Sequence, residues 1–402
     1  MKNKKLLIAS IAFISSNALA AGYSTNTTST AALATSYAGS STGSHDISNM
    51  HHNPAILSKF DKQFIASISY LDVDIDPQNE TYGGSANSAG AQTGDAGVNV
   101  VIPAFYFSTP IAQDTNLGLL VNSPFGLATE YNHEWAGATL NNDTEIKNIN
   151  LGTKLSHKLT DKLSVGLGIN AQKLQYTATF KNHANSTYNK FKGSDWGYGY
   201  SLGLNYDLCD RLSLGAGYQS KVKHEVTGKY QDSASIVGDA VIKIATPESA
   251  NIGAKYAIND KLNLMSDISW TRWSRNDVTP ITNSATGSDI VTIESKWHDS
   301  FMYSLGGDYQ YNNDLLIRFG GAFETGAPDD QYRSPNVPTG DVYWLNAGIN
   351  YDLGNDLSVD ATYLHQFYEN VKVNRNDLAS QTVNASYRTQ VNLFSVALKK
   401  NF

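Results

Sequence analysis

LTDKLSVGLGINA, residues 159–171, is the stretch on which the fold turns. A short polar turn built around Asp161 runs directly into strict alternation. Leu163, Val165, Leu167 and Ile169 fall on one phase; Ser164, Gly166, Gly168 and Asn170 fall on the other. Successive side chains of an extended strand point to opposite faces, so this is a strand with one apolar face and one small or polar face. YGYSLGLNY (198–206) and VYWLNAGINY (342–351) repeat the pattern, and their apolar faces begin or end in tyrosine. A soluble sandwich also alternates, but only a barrel crossing a membrane needs aromatic residues at both ends of its lipid-facing strands.

The turn motif supplies a count. AQDTNL, LTDKLS, LCDRLS, INDKLN, YNNDLL and LGNDLS are near-copies, with aspartates 114, 161, 210, 260, 314 and 356. Longer polar stretches such as 180–195 and 279–289 lie between them and read as outer loops. Six turns join twelve strands; one strand before (about 62–75) and one after (about 384–402) make fourteen. The expectation is an all-β fold, a transmembrane antiparallel β-barrel of about 14 strands spanning 61–402. Closure follows from the solvent: lipid offers no hydrogen bonds, so a sheet can cross it only without free edges.

The two ends agree with export to an outer membrane. Lys2, Lys4 and Lys5, the apolar LLIASIAFI (6–14) and Ala18-Leu19-Ala20 form a cleavable signal peptide over 1–20. At the other end VNLFSVALKKNF carries Phe394, Val396, Leu398 and the terminal Phe402 on one phase, the form of a last strand offered to the barrel-assembly machinery. A net charge of −7 argues against nucleic acid as a partner. The single cysteine, Cys209, has no partner for an internal disulfide.

Residues 21–60 precede the first strand and show no alternation. By composition they fit either a loose tail or a plug in the lumen. MHHNPAIL (50–57) favours a folded plug: Pro54 fixes a bend and drives Asn53 out of helical geometry, which a loose tail does not require.

These features together resemble the bacterial long-chain fatty-acid transporter (FadL) family, including its aromatic-hydrocarbon branch. The resemblance runs over nearly all of the mature chain. It is carried by TSYAGSSTG (35–43) with Asn53-Pro54-Ala55, IPAFYFSTPI (102–111), PFGLATEYNHEWAG (124–137), YQSKVKHEVTGKY (218–230), TPESANIGAKY (246–256) and ISWTRWS (268–274). It implies a monomeric fourteen-stranded barrel, multi-pass in the outer membrane among its lipid and lipopolysaccharide, with 21–60 folded inside as a hatch. It also implies passive uptake of long-chain fatty acids or similar hydrophobic compounds, without cofactor or metal. Asn53, Pro54 and Ala55 would form part of the gate beside an inward kink of the third strand at Ser123, Pro124, Phe125 and Gly126. That kink would serve as a side exit into the bilayer. Trp135 and Leu140 would make a reduced outer docking groove. The family's carboxylate-binding arginine falls on Phe180 and its lysine near Lys296, so cations thin out here and a neutral hydrocarbon cargo gains ground.

Other readings are weaker. GSSTG (39–43) matches a nucleophile elbow, yet no apolar strand precedes it, and no serine partners the scattered His157, His224, His298 and His365 as an outer-membrane lipase needs. His51, His52, His45 and Asp46 lack the spacing of a metal site. A general diffusion porin would carry no hatch, and a surface-receptor role is compatible with transport.

Overall fold

The computed structural model describes residues 22–86, 94–132, 134–182, 187–232, 235–377 and 380–402; the expected signal peptide lies outside them. Fourteen antiparallel strands form one closed sheet: β1 (Gln63–Tyr82), β2 (Val100–Ala112), β3 (Thr115–Asn122, then Gly126–Glu130), β4 (Asp143–Lys158), β5 (Leu163–Lys181), β6 (Tyr188–Cys209), β7 (Leu212–Gln219, then Val222–Asp232), β8 (Ser235–Thr246, then Ser249–Ala257), β9 (Leu262–Thr271, then Val278–Asn283), β10 (Asp289–Glu294, then Ser300–Gln310), β11 (Leu315–Glu324), β12 (Val342–Gly354), β13 (Leu357–Tyr368, then Val371–Asn376) and β14 (Thr382–Asn401). Each pairs with its sequence neighbours, and β14 closes on β1 from Gln63↔Asn401 to Tyr82↔Val383. The six Asp/Asn turns all fall at one end of the barrel, between strand pairs, as their sequence copies imply.

Burial separates this barrel from a sandwich. Leu167, Ile169 and Tyr198 are 59, 69 and 75% exposed, whereas Ser201 and Asn205 on the opposite phase are 0 and 1% exposed. The apolar face therefore points outward to lipid and the polar face inward. Tyr198 and Tyr206, Tyr303 and Tyr311, and Tyr343 and Tyr351 are exposed pairs eight residues apart, about 26 Å along a strand, matching the two aromatic girdles of a membrane barrel.

Two expected loops are largely strand. Within 180–195, β5 runs to Lys181 and β6 begins at Tyr188, because buried Asn189 and Phe191 alternate with exposed Lys190 and Lys192. The 279–289 stretch is a hairpin, Val278–Asn283 against Asp289–Glu294. The end strands also extend beyond the expected 62–75 and 384–402. Polarity suggested loops, but beyond the membrane the ladder continues in water.

Residues 22–60 are nearly all buried and hydrogen-bond to inward-facing groups around the wall. Thr30 Oγ1 lies 2.7 Å from Ser395 Oγ, Ser36 Oγ donates to Asn346 at 2.9 Å, and Asn205 donates to the Thr42 carbonyl at 3.1 Å. Ser58 Oγ donates to Ser164 at 2.7 Å, and Lys59 pairs with Asp207 at 2.8 Å. A small, polar inner face serves two ends here. It brings the wall close to the segment, and it supplies partners for backbone groups that no regular helix or sheet satisfies.

Candidate functional site

The wall breaks where NSPFG (122–126) predicts. On β3, Asn122 pairs with Asn150 of β4 and Gly126 with Lys147. Three residues, 123–125, thus oppose only 148 and 149, a bulge that bends the strand. On the other side, pairing with β2 stops at Phe105↔Val121. Among the described residues, no ladder joins 100–104 of β2 to the upper part of β3, so the wall has a gap there.

The N-terminal segment takes over the orphaned backbone. Thr25 N donates to Pro124 O at 3.0 Å, Thr25 Oγ1 donates to Ser123 O at 2.5 Å, and Gly126 N donates to Tyr23 O at 2.8 Å. Ser24 and Phe125 form an isolated bridge. The kink is therefore edged by Tyr23, Ser24 and Thr25.

Asn53, Pro54 and Ala55 lie elsewhere, on a flat patch of β5 and β6. A Cβ on Gly203 would sit 2.0 Å from Asn53 Oδ1, and one on Gly166 would sit 2.3 Å from Ala55 N. Only glycine permits that approach. Pro54 occupies the first turn of a 3-10 helix, Pro54–Lys59, where its missing N–H is harmless. Asn53 caps it, accepting from Ala55 N at 2.9 Å while Nδ2 donates to Ser41 O at 2.6 Å and Leu204 O at 2.9 Å. His51 and His52, one step earlier, do face a cavity of about 110 Å³ shared with Ser24, Asn26, Pro124, Phe125 and Gln219. Burial drives both rings toward the neutral form, His52 from 6.5 down to about 4.

Above this cavity four aromatic rings converge from four broken or terminal elements. Tyr23 meets Trp273 at 4.7 Å, Trp273 meets Trp297 at 5.6 Å, and Phe125 lies 5.9 Å from Tyr23. Trp273 sits in a 3-10 turn, Trp273–Arg275, that interrupts β9. The turn is fixed by buried Glu248, which accepts from Arg275 Nη2 at 2.5 Å and from Arg272 Nη1 at 3.3 Å. On the far side of the rings a small apolar pocket, about 50 Å³, is lined by Tyr23, Leu127, Ile146, Tyr176, Ile242 and Trp297, among others. Among the described residues, no lysine or arginine lines either space.

The remaining expected residues are placed as follows. Phe180 is buried in the apolar cluster at the long-loop end of the lumen. Lys296 is a correction: it points outward, with Nζ 3.0 Å from the Tyr332 hydroxyl and 3.6 Å from Glu294, so it cannot serve the inner pocket. Trp135 is a second correction. It folds inward, 3% exposed, stacked on Tyr131 at 4.2 Å, with Nε1 donating to Asn141 O, because its loop closes over the lumen. Leu140 is half-buried, and the two do not form an open groove. Ser40 and Ser41 of GSSTG follow a four-residue helix, Thr30–Leu33, and the Gly39 and Ser41 amides donate to Asp267 at 2.6 and 3.3 Å; no strand leads into them. No group of three or more metal-ligating side chains occurs among the described residues.

Sequence reasoning missed Tyr23, Trp273 and Trp297, although ISWTRWS contains one of them. It also missed Lys154. This inward lysine of β4 is 0% exposed, donates to Asn170 at 3.0 Å and Ser201 at 2.7 Å, and among the described residues has no carboxylate within ion-pair distance.

A family model described as outer membrane protein transport protein (OMPP1/FadL/TodX) matches residues 11–402. The long-chain fatty acid transport protein of Escherichia coli (strain K12) is 25% identical over 420 residues, covering 92% of this chain and 93% of the relative. The crystal structure of a Pseudomonas aeruginosa FadL homologue superposes with a TM-score of 0.88 at 23% identity, covering 95% of this chain and 100% of the other. The P. putida toluene transporter TodX gives 0.69 at 20% identity, covering 93 and 98%. The chain belongs to the OMPP1/FadL/TodX family of outer-membrane transport proteins.

Proposed function

We propose that this protein carries hydrophobic small molecules, long-chain fatty acids or aromatic hydrocarbons, passively from the long-loop end of the lumen to the gap beside β3 and out into the bilayer. In this reading residues 22–60 are the hatch. The single observation that carries it is the bulge at 123–125, whose freed backbone is held by Tyr23, Ser24 and Thr25. Moving those three residues unseals the wall without unfolding it. The cargo's physics favours such a route: a 16-carbon chain gains roughly 12 kcal/mol on leaving water, at about 0.8 kcal/mol per CH2. A path through apolar spaces to a side exit avoids returning that amount to water.

Two further features support the direction of travel. The outer half of the lumen is lined by apolar side chains, among them Ile146, Leu174, Tyr176, Phe180 and Trp297. On the lipid side, an apolar trough of about 670 Å³ runs past Phe105, Val121, Leu151 and Ile169, just below the gap. The absence of cations on both inner spaces favours cargo that is neutral where it passes the rings.

Deleting Ser123 is the decisive test. Two residues would then oppose 148 and 149, so the bulge would be lost, and Leu127 would keep its inward phase. Uptake of labelled oleate and toluene in a transporter-deficient host is expected to fall to the empty-vector level, with the folded barrel present in the outer membrane. Undiminished uptake of both cargoes by a correctly folded deletion variant would refute the side exit.

A further inference from the structure

The rim of the barrel carries its charge unevenly. On β1 the outward positions just beyond Tyr70 are acidic: Asp72, Asp74 and Asp76. On β5–β8 lysines predominate there, with Glu225 and Asp239 among them, in a chain whose net charge is −7. At the level of the aromatic girdle, the Lys173 ammonium lies 5.8 Å from the centre of the Trp196 ring, Lys223 projects outward from β7, and Lys243 of β8 reaches Glu225 at 3.6 Å. Higher on the same face come Lys192 and Lys190 of β6 and Lys229 of β7. Lys192 and Lys229 are direct ladder partners. Like charges opposite one another on neighbouring strands destabilise a sheet. Lys229 is compensated by Asp239 at 2.5 Å, but among the described residues no carboxylate lies within ion-pair distance of Lys190, Lys192 or Lys223. This strip adjoins exposed Trp196, Tyr198 and Tyr200, so it begins where the hydrocarbon ends.

We propose that the lysine strip on β5–β8 binds the phosphorylated sugar headgroup of the glycolipid in the outer leaflet. The lipid's acyl chains lie along the exposed Leu167, Ile169 and Tyr198, its acyl-bearing sugars meet Lys223 at the girdle, and the phosphates of its core sugars reach Lys192 and Lys190, six and eight residues further along the strands. The anion relieves the Lys192–Lys229 opposition, and the lipid-facing wall supplies the apolar half of the contact. This outer-wall contact does not depend on what the lumen carries.

The test uses the full barrel in a zwitterionic detergent, titrated with diphosphoryl lipid A bearing its phosphorylated core sugars, the dephosphorylated form of that glycolipid or inorganic phosphate, with binding read by native mass spectrometry and by the thermal midpoint. The variants are K190Q/K192Q/K223Q and, as control, K162Q/K261Q on the short-turn end; resistance of the folded band to unheated gel electrophoresis verifies each barrel. Near an anionic headgroup each lysine contributes roughly a fivefold factor, so the triple variant is expected to bind the phosphorylated core-bearing glycolipid about a hundredfold more weakly, with the control unchanged. Added salt should weaken binding to the wild type but hardly affect the triple variant. The proposal is overturned if the triple variant binds like wild type, if the dephosphorylated glycolipid binds equally well, or if inorganic phosphate alone gives the same stabilisation.

Discussion

Replacing Asn53 probes how the N-terminal segment is held, and the structure sets the size of the effect. Asn53 is fully buried and makes three hydrogen bonds. Asn53→Ala removes a helix cap worth about 1 kcal/mol and two side-chain to carbonyl bonds worth about 1 kcal/mol each. The sum, roughly 3 kcal/mol, raises the local opening equilibrium of 49–58 by about 150-fold. Asn53→Asp is the sharper variant. It keeps the acceptor for Ala55 N but turns an oxygen toward the Ser41 and Leu204 carbonyls, where Nδ2 now donates. A buried carboxylate facing two carbonyls is worse than an empty space, so aspartate should loosen the segment more than alanine does. Amide hydrogen exchange on the folded barrel, followed over 47–60, reads this directly, with β5 and β6 as internal references. Unchanged protection in both variants, or an aspartate variant tighter than alanine, would show that the segment is held by something other than this residue.

Three other outcomes follow from particular contacts. Trp273→Ala removes a ring packed against Tyr23, Phe125 and Trp297; the loss of about 3–5 kcal/mol of packing should join the two inner spaces and raise planar-bilayer conductance above a near-silent wild type, so an unaltered current would count against the rings as a barrier. Lys296→Ala should leave uptake and thermal midpoint unchanged, because exposed ion pairs contribute little; a marked loss of oleate uptake would return that lysine to the cargo path. Because burial holds His52 at about 4 instead of 6.5, the buried segment binds a proton less readily than the released one. Its hold is complete above pH 6.5 and weakens as pH falls toward 4. His51 is shifted in the same sense. Exchange rates of 47–57, corrected for intrinsic chemistry, should rise through that window, and a flat profile would exclude the pair as a contributor.

The barrel was legible because membrane strands obey two local rules at once. LSVGLGINA shows its faces by alternation, and the Asp/Asn turns show where one strand ends and the next begins, so the count of fourteen needs no long-range information. The break at NSPFG was legible for the same reason: Pro124 cannot donate to a ladder, and Gly126 pairs weakly. What lies inside the barrel was not legible. Trp135 looks like an exposed groove residue in HEWAGATL, but its Nε1 finds Asn141 O only once the loop curls over the lumen. Lys296 sits beside Trp297 in sequence, yet a positive φ of 42° at the lysine turns it outward while the tryptophan turns inward. Neighbours in sequence can face opposite solvents, and only the turn geometry decides which.

The bulge at 123–125 and the interruption at Trp273–Arg275 are costs that a simple pore would not carry. Each breaks the ladder and leaves backbone groups that need other partners. Each is repaired by a group that could withdraw: Tyr23, Ser24 and Thr25 at the first, and Glu248 with its two arginines at the second. Tyr23 also touches Trp273, so the two repairs meet in one ring cluster. Shifting Tyr23 would therefore unseal the gap beside β3 and unpack the rings above it in a single movement. A cargo that displaces Tyr23 from the apolar pocket it lines would open its own exit, with binding as the only driving force. Tyr23→Ala isolates that coupling: it should raise conductance and the exchange of 24–26 together, and a rise in either alone would mean that the two breaks act separately.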